Sequence, residues 1–165
     1  IGSWIKFMRS APVFNYDHQV QEEGESPMES KLHIRSALPA DLDWLIAHDK
    51  HISAQELKHL ISIGRVYLLE CGSHIAGWLR YGLFWDNTPF LNMLYLLEPY
   101  RGKGYGRCFI TDWEAQMRLA GFHIIMTSTS SNEDAQHFYY KMGYSAAGGF
   151  TPYHEPYELL LIKSL

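Results

Sequence analysis

Apolar residues recur at strand-like and helix-like spacings from Lys31 to the end of the chain. In the first half, the alternation predicts strands joined by tight turns. Gly72-Ser73 is a typical hairpin turn, and a second turn falls at Asp86–Pro89. The predicted strands lie around Leu32–Ala37 and at Arg65–Cys71, His74–Phe84 and Phe90–Leu97. The last of them is almost wholly apolar, as expected for a strand that is covered on both faces.

Two short helices are predicted between the first two strands. The first begins at Leu38–Asp41 and continues through Leu42, Leu45 and Ile46 at helical spacing. The second begins at Ser53, and Glu56 follows three residues later, the spacing of a capping box. Gly64 ends it.

The second half of the chain alternates helices with strands. A helix running to about Ala120 carries Phe109, Trp113 and Met117 at four-residue steps, which predicts a buried stripe. A strand, a helix and two final strands follow at Phe122–Ser130, Asn132–Met142, Tyr144–Gly148 and Pro156–Lys163. Hairpins followed by strand–helix–strand units indicate an α+β fold with a mixed sheet.

The first 30 residues differ from the rest. They carry a net charge of −3 out of −4 for all 165 residues, and residues 19–30 are polar and acidic. This composition is typical of a linker. Residues 1–30 are therefore interpreted either as an N-terminal arm or as a leader that precedes a natural start at Met28, and residues 31–165 as one domain.

Composition excludes several classes of protein. The slight negative charge argues against a general nucleic-acid binder, which would show a broad basic face. No run of 18 apolar residues predicts a membrane span, so no membrane association is expected. The two cysteines, Cys71 and Cys108, form no CxxC pair, which favours a reducing cytoplasm over a disulfide-stabilised secreted protein.

The most informative segment is Arg101–Arg107, with the sequence RGKGYGR. It places three glycines and three cations between an apolar strand and an amphipathic helix. The first N–H groups of a helix are unpaired and lie at the positive end of its dipole. Glycines let these groups approach an oxyanion, and Arg101, Lys103 and Arg107 add positive charge, so the segment suits a pyrophosphate.

The spacing of the glycines argues against two other kinds of nucleotide-binding motif. A P-loop requires Gly-Lys-Ser/Thr, which is absent. A dinucleotide-binding fold requires GxGxxG after its first strand, whereas Gly102, Gly104 and Gly106 form GxGxG deep in the chain. A glycine turn with solvated cations is the remaining alternative.

The chain resembles the GCN5-related N-acetyltransferase (GNAT) family. That family binds the pyrophosphate of acetyl-CoA with Arg/Gln-x-x-Gly-x-Gly/Ala, which Arg101–Gly106 matches. A second family pattern, Asn-x-x-Ala-x-x-aromatic-Tyr followed by Gly-aromatic, is matched at the residues Asn132, Ala135, Phe138, Tyr139, Gly143 and Tyr144. The resemblance covers about residues 31–165 and includes the two short helices before the hairpin. It implies an α+β fold with a mixed, mostly antiparallel central sheet and helices on both faces.

The resemblance implies roles for particular residues. Main-chain groups at the end of the Phe90–Leu97 strand would pair with the pantetheine arm, and an N–H near Leu96 would bind the thioester oxygen. Tyr139 would be the general acid that protonates the leaving thiolate; the alternative is a core aromatic. The expected cofactor-binding residues are Leu96, Leu97, Arg101, Gly102, Lys103, Gly104, Tyr105, Gly106, Arg107 and Asn132. No metal is expected.

Neither a general base nor an acceptor-binding motif can be identified from the sequence. Asp86, His154 and Glu155 are loop candidates for the base, and a base acting through water is the alternative. His48 and His51 lack a third ligand at metal spacing and are interpreted as solvated or capping. Cys108 is interpreted as a small buried residue rather than a nucleophile.

Several aromatic residues are expected near the acceptor cleft. Most of them are expected to pack in the core, and a minority could line a site for an apolar or cationic acceptor. They are Trp78, Tyr81, Phe84, Trp85, Tyr95, Phe150 and Tyr153.

The resemblance therefore implies an enzyme that transfers an acetyl group from acetyl-CoA to a primary amine of a small molecule or peptide. The alternative is a binding module of the same fold that senses acyl-CoA without turnover. Expected partners are acetyl-CoA and an amine acceptor, with no nucleic acid, and a homodimer is left open. The acceptor itself cannot be named from the sequence.

Overall fold

The computed structural model describes residues 32–165, which form one seven-stranded sheet with helices on both faces. The predictions for residues 1–30 fall outside the described residues. The strands are ordered β1-β2-β3-β4-β5-β7-β6, and all neighbours are antiparallel except β4 and β5. The predicted mixed α+β fold is confirmed.

The elements follow the predicted order closely. The strands are β1 Leu32–Ser36, β2 Val66–Cys71, β3 His74–Phe84, β4 Thr88–Leu96, β5 Ile124–Ser130, β6 Ser145–Phe150 and β7 Glu158–Ser164. The helices are α1 Leu42–His48, α2 Ala54–Ser62, α3 Tyr105–Leu119 and α4 Ala135–Lys141, with short 3₁₀ turns at Pro39–Asp41 and Glu98–Tyr100.

Each face of the sheet has its own core. Helices α3 and α4 cover one face, where the predicted stripe of Phe109, Trp113 and Met117 is buried together with Tyr139. Helices α1 and α2 cover the other face through Leu45, Leu57, Leu60 and Ile61. The predicted N-cap of α2 is confirmed, since Ser53 Oγ accepts a hydrogen bond from the Glu56 N–H at 3.1 Å. This bond satisfies one donor of the first turn.

Strands β4 and β5 form ladder pairs only near the start of β4. Their parallel pairing is limited to Phe90 with Met126 and Leu91 with Thr127. Next to this point β4 bulges, because Arg80 pairs with Met93 whereas Tyr81 pairs with Leu91. The extra residue bends the strand. Beyond the bulge, Leu94–Leu96 of β4 form no ladder pairs with Ser128–Ser130 of β5, and we call this unpaired stretch the β4–β5 gap.

Helix α4 begins at Ala135, three residues later than predicted. Asn132 lies instead in the turn after β5, where its Oδ1 accepts a hydrogen bond from Ser130 Oγ at 2.7 Å. This local side-chain bond offers the backbone an alternative to the helix, as is common for asparagine.

No helix among residues 32–165 is long and apolar enough to cross a membrane.

Candidate active site

The Arg101–Arg107 segment forms a glycine turn that leads directly into α3, and we call it the phosphate loop. Gly104 is the N-cap of α3 with φ 81°, and Gly102 has φ 72°, both in the left-handed region that glycine adopts without strain. A Cβ placed on Gly104 would have no atom within 4 Å, so open space lies beside the helix start. The first turn of α3 contains no acidic side chain.

The three cations of the loop differ in their surroundings. Arg101 is partly buried, and its Nε donates a hydrogen bond to the Leu96 carbonyl at 2.8 Å. Its guanidinium lies 5.1 Å from the centre of the Tyr95 ring. Lys103 and Arg107 are exposed, while Tyr105 is partly buried and Gly106 is buried. Arg101 thus ties the loop to the end of β4, and the other two cations extend into solvent.

The register of β3 and β4 determines which main-chain groups face the β4–β5 gap. The Leu97 N–H donates to the Ala76 carbonyl at 2.9 Å, so Leu97 is turned toward β3. Hydrogen-bonded and non-hydrogen-bonded positions alternate along an antiparallel pair. Leu96, opposite Gly77, and Leu94, opposite Leu79, therefore point their N–H and carbonyl groups away from β3 and into the gap.

Tyr139 lies on α4, beneath the sheet face that carries Thr127, and is fully buried. Its hydroxyl is a buried polar atom without a hydrogen-bond partner in the described part of the chain. Burial raises the pKa of this hydroxyl well above its usual value, and the neighbouring Thr127 offsets only part of the rise. The phenol therefore stays protonated at neutral pH. The adjacent Tyr140 is exposed.

On the opposite face, the α1–α2 loop is held by a buried charge that the sequence analysis missed. Asp49 is 2% exposed, and its Oδ2 accepts hydrogen bonds from Arg80 Nε at 2.7 Å and Trp78 Nε1 at 3.1 Å. Its Oδ1 accepts from the His51 N–H at 3.1 Å. Because Asp49 and Arg80 are 31 residues apart, neither forms a local motif.

An aromatic row runs along the same face from α1 to the phosphate loop. Trp78 stacks on Tyr95 with ring centres 4.5 Å apart, and Arg101 lies over the other end of the row at Tyr95. Trp44 stacks on His48 at 3.9 Å, and its ring meets Trp78 edge-on. Of the aromatics expected near the acceptor, Trp78 and Tyr95 thus lie beside the loop. Tyr81 belongs to the core under α3 instead.

The loop candidates for a general base lie in two different places. Asp86 is in the β3–β4 turn, at the opposite end of β4 from the phosphate loop. At about 3.3 Å per residue, that strand separates them by roughly 25 Å. His154 and Glu155 lie in the β6–β7 loop and are exposed. Trp85 shares the remote turn with Asp86, and Tyr153 is exposed beside His154.

A further carboxylate escaped the sequence analysis. Glu158 is the first residue of β7 and is 4% exposed. Burial raises the pKa of its carboxyl group, and a hydrogen bond with Ser128 partly opposes the rise. Nothing local in the sequence distinguishes it from a surface glutamate near the end of a loop.

The predictions for two other residue types had different outcomes. Cys108 is exposed, so its expected burial was wrong; it lies on the α3 face opposite Phe109 and Trp113. His48 is exposed, and its Nδ1 lies 2.7 Å from the Trp44 carbonyl, as expected for a capping side chain. Within residues 32–165 no three His, Cys, Asp or Glu side chains come together as a metal site.

Solved structures with the same fold include several acetyltransferases. A GNAT-family acetyltransferase from Bacillus cereus is 22% identical, with a TM-score of 0.66 over 81% of this chain and 97% of that one. The spermidine/spermine N-acetyltransferase SpeG from Vibrio cholerae is 16% identical, with a TM-score of 0.67 over 82% and 94%. The ribosomal-protein-S18-alanine N-acetyltransferase from Escherichia coli is 14% identical, with a TM-score of 0.68 over 81% and 94%.

At these identities the structures share the fold alone, and none of the curated protein sequences compared with this chain matches it. The model of the acetyltransferase (GNAT) family, in contrast, matches residues 25–144, which include both the phosphate loop and Tyr139. The chain therefore belongs to the GNAT family of acetyltransferases.

Proposed function

We propose that the protein is an N-acetyltransferase that moves an acetyl group from acetyl-CoA to a primary amine of a small molecule or peptide. The observation that carries this proposal is the fully buried Tyr139 hydroxyl, which lies near Thr127 and forms no hydrogen bond of good geometry within residues 32–165. An unsatisfied buried hydroxyl costs about 1–3 kcal/mol of stability. That cost is offset in function if the hydroxyl donates a proton to a bound group.

The phosphate loop supplies the binding site for the pyrophosphate of CoA. The N–H groups at the start of α3 donate to its oxygens, and Gly104 leaves the space that this approach needs. Lys103 and Arg107 add positive charge, while Arg101 fixes the loop to β4 through the Leu96 carbonyl. Since these contacts are ionic, the affinity for CoA is expected to fall as salt rises.

The edge of β4 that faces the β4–β5 gap binds the pantetheine arm and orients the thioester. The N–H groups of Leu94 and Leu96 face the β4–β5 gap, and a fixed N–H donor polarises a thioester carbonyl as negative charge develops on its oxygen. Asn132 follows the end of β5, on the other side of the gap, and is exposed for contact with the same arm. The acceptor nitrogen then attacks the carbonyl carbon, and Tyr139 protonates the sulfur that leaves.

The names of two structural neighbours, SpeG and the S18-alanine enzyme, describe N-acetylation of a polyamine and of a protein. Both transfers join an acetyl group to nitrogen, which supports an amine as the acceptor here. They differ in the size of the acceptor, so the proposal covers both a small molecule and a peptide.

Tyr139→Phe tests the proposal. The change removes one oxygen and keeps the ring, so kcat is expected to fall about 10²- to 10⁴-fold, the usual contribution of a general acid. The affinity for CoA should change little, and the melting temperature should not fall, because an unpartnered hydroxyl is removed. Turnover is measured as CoA release over a panel of amines and peptides, and CoA affinity by titration calorimetry.

Tyr140→Phe is the matched control, because Tyr140 is the exposed neighbour on the same helix. It should behave like wild type. If both variants turn over like wild type, Tyr139 is a core aromatic and its catalytic role is wrong. If wild type binds CoA but acetylates nothing in the panel, the protein is an acyl-CoA-binding module instead.

A further inference from the structure

Glu158 is a buried carboxylate whose surroundings on the sheet carry no charge. It pairs with Ser130 on β5 and with Phe150 on β6, and Ser128 lies diagonally across from it. None of the ion pairs among residues 32–165 includes it. A buried carboxylate is normally paired with a cation, because burying an isolated charge is costly. Within residues 32–165, Ser128 thus contributes a hydrogen bond to Glu158, and no cation is paired with it.

The register places Glu158 level with the β4–β5 gap. Leu91 of β4 pairs with Thr127 of β5, and Leu94 and Ser130 each lie three residues further along these parallel strands. Glu158 is the direct partner of Ser130 and lies one strand beyond the gap. The carboxylate is thus at the height where the N–H of Leu94 faces the gap.

Glu158 and Tyr139 lie on opposite faces of the sheet. Thr127 points toward α4, where Tyr139 is buried, and successive side chains of a strand alternate between faces. Ser128 and Ser130 therefore point to the other face. Since directly paired residues share a face, Glu158 points there as well. This is the face that carries the α1–α2 loop and the aromatic row.

We propose that Glu158 is the proton acceptor for the amine, a role that rests on the proposed function. The acceptor enters as an ammonium ion, whose positive charge is attracted to the Glu158 carboxylate. Glu158, directly or through one water, takes a proton from nitrogen and leaves its lone pair free. The C–N bond forms as the C–S bond breaks, and Tyr139 protonates the sulfur. The second proton on nitrogen and the proton held by Glu158 are then released to solvent, and Tyr139 takes one proton back, so that one proton is released in each turnover.

The environment of Glu158 suits this role. A general base is most effective when its pKa lies near the working pH, and burial shifts the pKa of this carboxyl in that direction. With the acid on one face and the base on the other, the sheet separates the two groups, so Tyr139 does not donate its proton to Glu158.

Glu158→Gln tests the role, with Glu155→Gln as the matched control from the exposed β6–β7 loop. The acceptor is spermidine, an alanine-terminated peptide or another panel amine that wild type acetylates. At neutral pH we expect kcat/KM to fall about 10²- to 10⁴-fold for Glu158→Gln and to stay near wild type for Glu155→Gln. The CoA affinity of both variants should be unchanged.

The pH profile separates a base from a structural residue. Without its base, the variant depends on free amine, whose fraction rises about tenfold per pH unit up to a pKa near 10. The difference between Glu158→Gln and wild type should therefore shrink about tenfold per pH unit, whereas a merely structural defect would persist or grow. A variant that parallels wild type at every pH overturns the role.

The melting temperature of each variant is measured to show that it folds. If Glu158→Gln does not fold, Glu158→Asp keeps the charge one carbon further back, and a wild-type kcat/KM in that variant would overturn the need for a positioned base. If Glu158→Gln turns over as fast as wild type, the role of Glu158 is wrong but the proposed function is unaffected. Absence of turnover by wild type refutes the proposed function itself, and with it this role.

Discussion

The phosphate loop and the α1–α2 loop use charge in opposite ways. In the phosphate loop, Lys103 and Arg107 are exposed at a helix start with no acid in the first turn. In the α1–α2 loop, Asp49 is buried, and Arg80, which is 6% exposed, and Trp78 both donate to it. Buried, paired charge holds a loop against the sheet, whereas charge left open at a helix start is available to a ligand.

The phosphate loop is assembled from seven consecutive residues and needs little from the rest of the fold. The α1–α2 loop is held by partners on β3 that are about 30 residues away in sequence. Changes to the first should therefore affect ligand binding more than folding, and changes to the second should affect folding first.

The largest stability effect is expected at Asp49. Asp49→Ala leaves the Arg80 guanidinium buried without its counter-charge and removes the acceptor of the Trp78 N–H. Breaking a buried pair from one side typically costs about 3–5 kcal/mol. Urea denaturation should therefore show a drop of that size in the free energy of unfolding.

Asp43→Ala is the control, since Asp43 is an exposed residue of α1 and should cost less than about 0.5 kcal/mol. A loss below about 1 kcal/mol for Asp49→Ala would mean that the buried pair contributes little to holding the loop. The contrast between the two loops would then fail.

The next effect is on ligand affinity, at Gly104. Gly104→Val puts a branched side chain into the space beside the start of α3 and into a backbone conformation, φ 81°, that costs such a residue about 1–3 kcal/mol. The dissociation constant for CoA should rise at least about tenfold, which corresponds to 1.4 kcal/mol. Calorimetry at two salt concentrations measures the affinity and its ionic part.

Gly121→Val is the matched control at the other end of α3. Gly121 has φ 89° and equally open surroundings, so the backbone cost should be similar while the CoA site is left intact. Equal CoA affinities in the two variants would show that Gly104 matters only for the backbone.

The same difference explains which features could be predicted from the sequence. Three features could be predicted because each depends on residues only a few positions apart in the sequence. They are the cap at Ser53, the buried stripe of α3 and the phosphate loop. The Asp49–Arg80 pair depends on the α1–α2 loop packing over β3, and the Ser128–Glu158 pair depends on β5 and β7 becoming neighbours. Only the three-dimensional register brings them together, so composition and spacing carry no signal for either.

Cys108 shows a different source of error. Cysteine is among the most often buried residue types, which favoured burial on residue type alone. The helical phase overrides this preference: the buried positions of α3 include 106, 109, 110, 113 and 117, and 108 falls between them on the solvent side. The helical period of α3 alone therefore predicts that Cys108 is exposed.

The smallest effect is expected in the reactivity of the two thiols. Cys108 is exposed in the first turn of α3, next to the phosphate loop, whereas Cys71 is buried at the end of β2. Reaction with a disulfide reagent should be biphasic, with one thiol modified at once and the second only when the protein opens. Cys108→Ser should remove the fast phase, and saturating CoA should slow it slightly in wild type because the bound ligand shields the start of the helix. If both thiols react fast, the core around the end of β2 opens readily. If CoA does not slow the fast phase, the ligand covers the loop without reaching the first turn of α3.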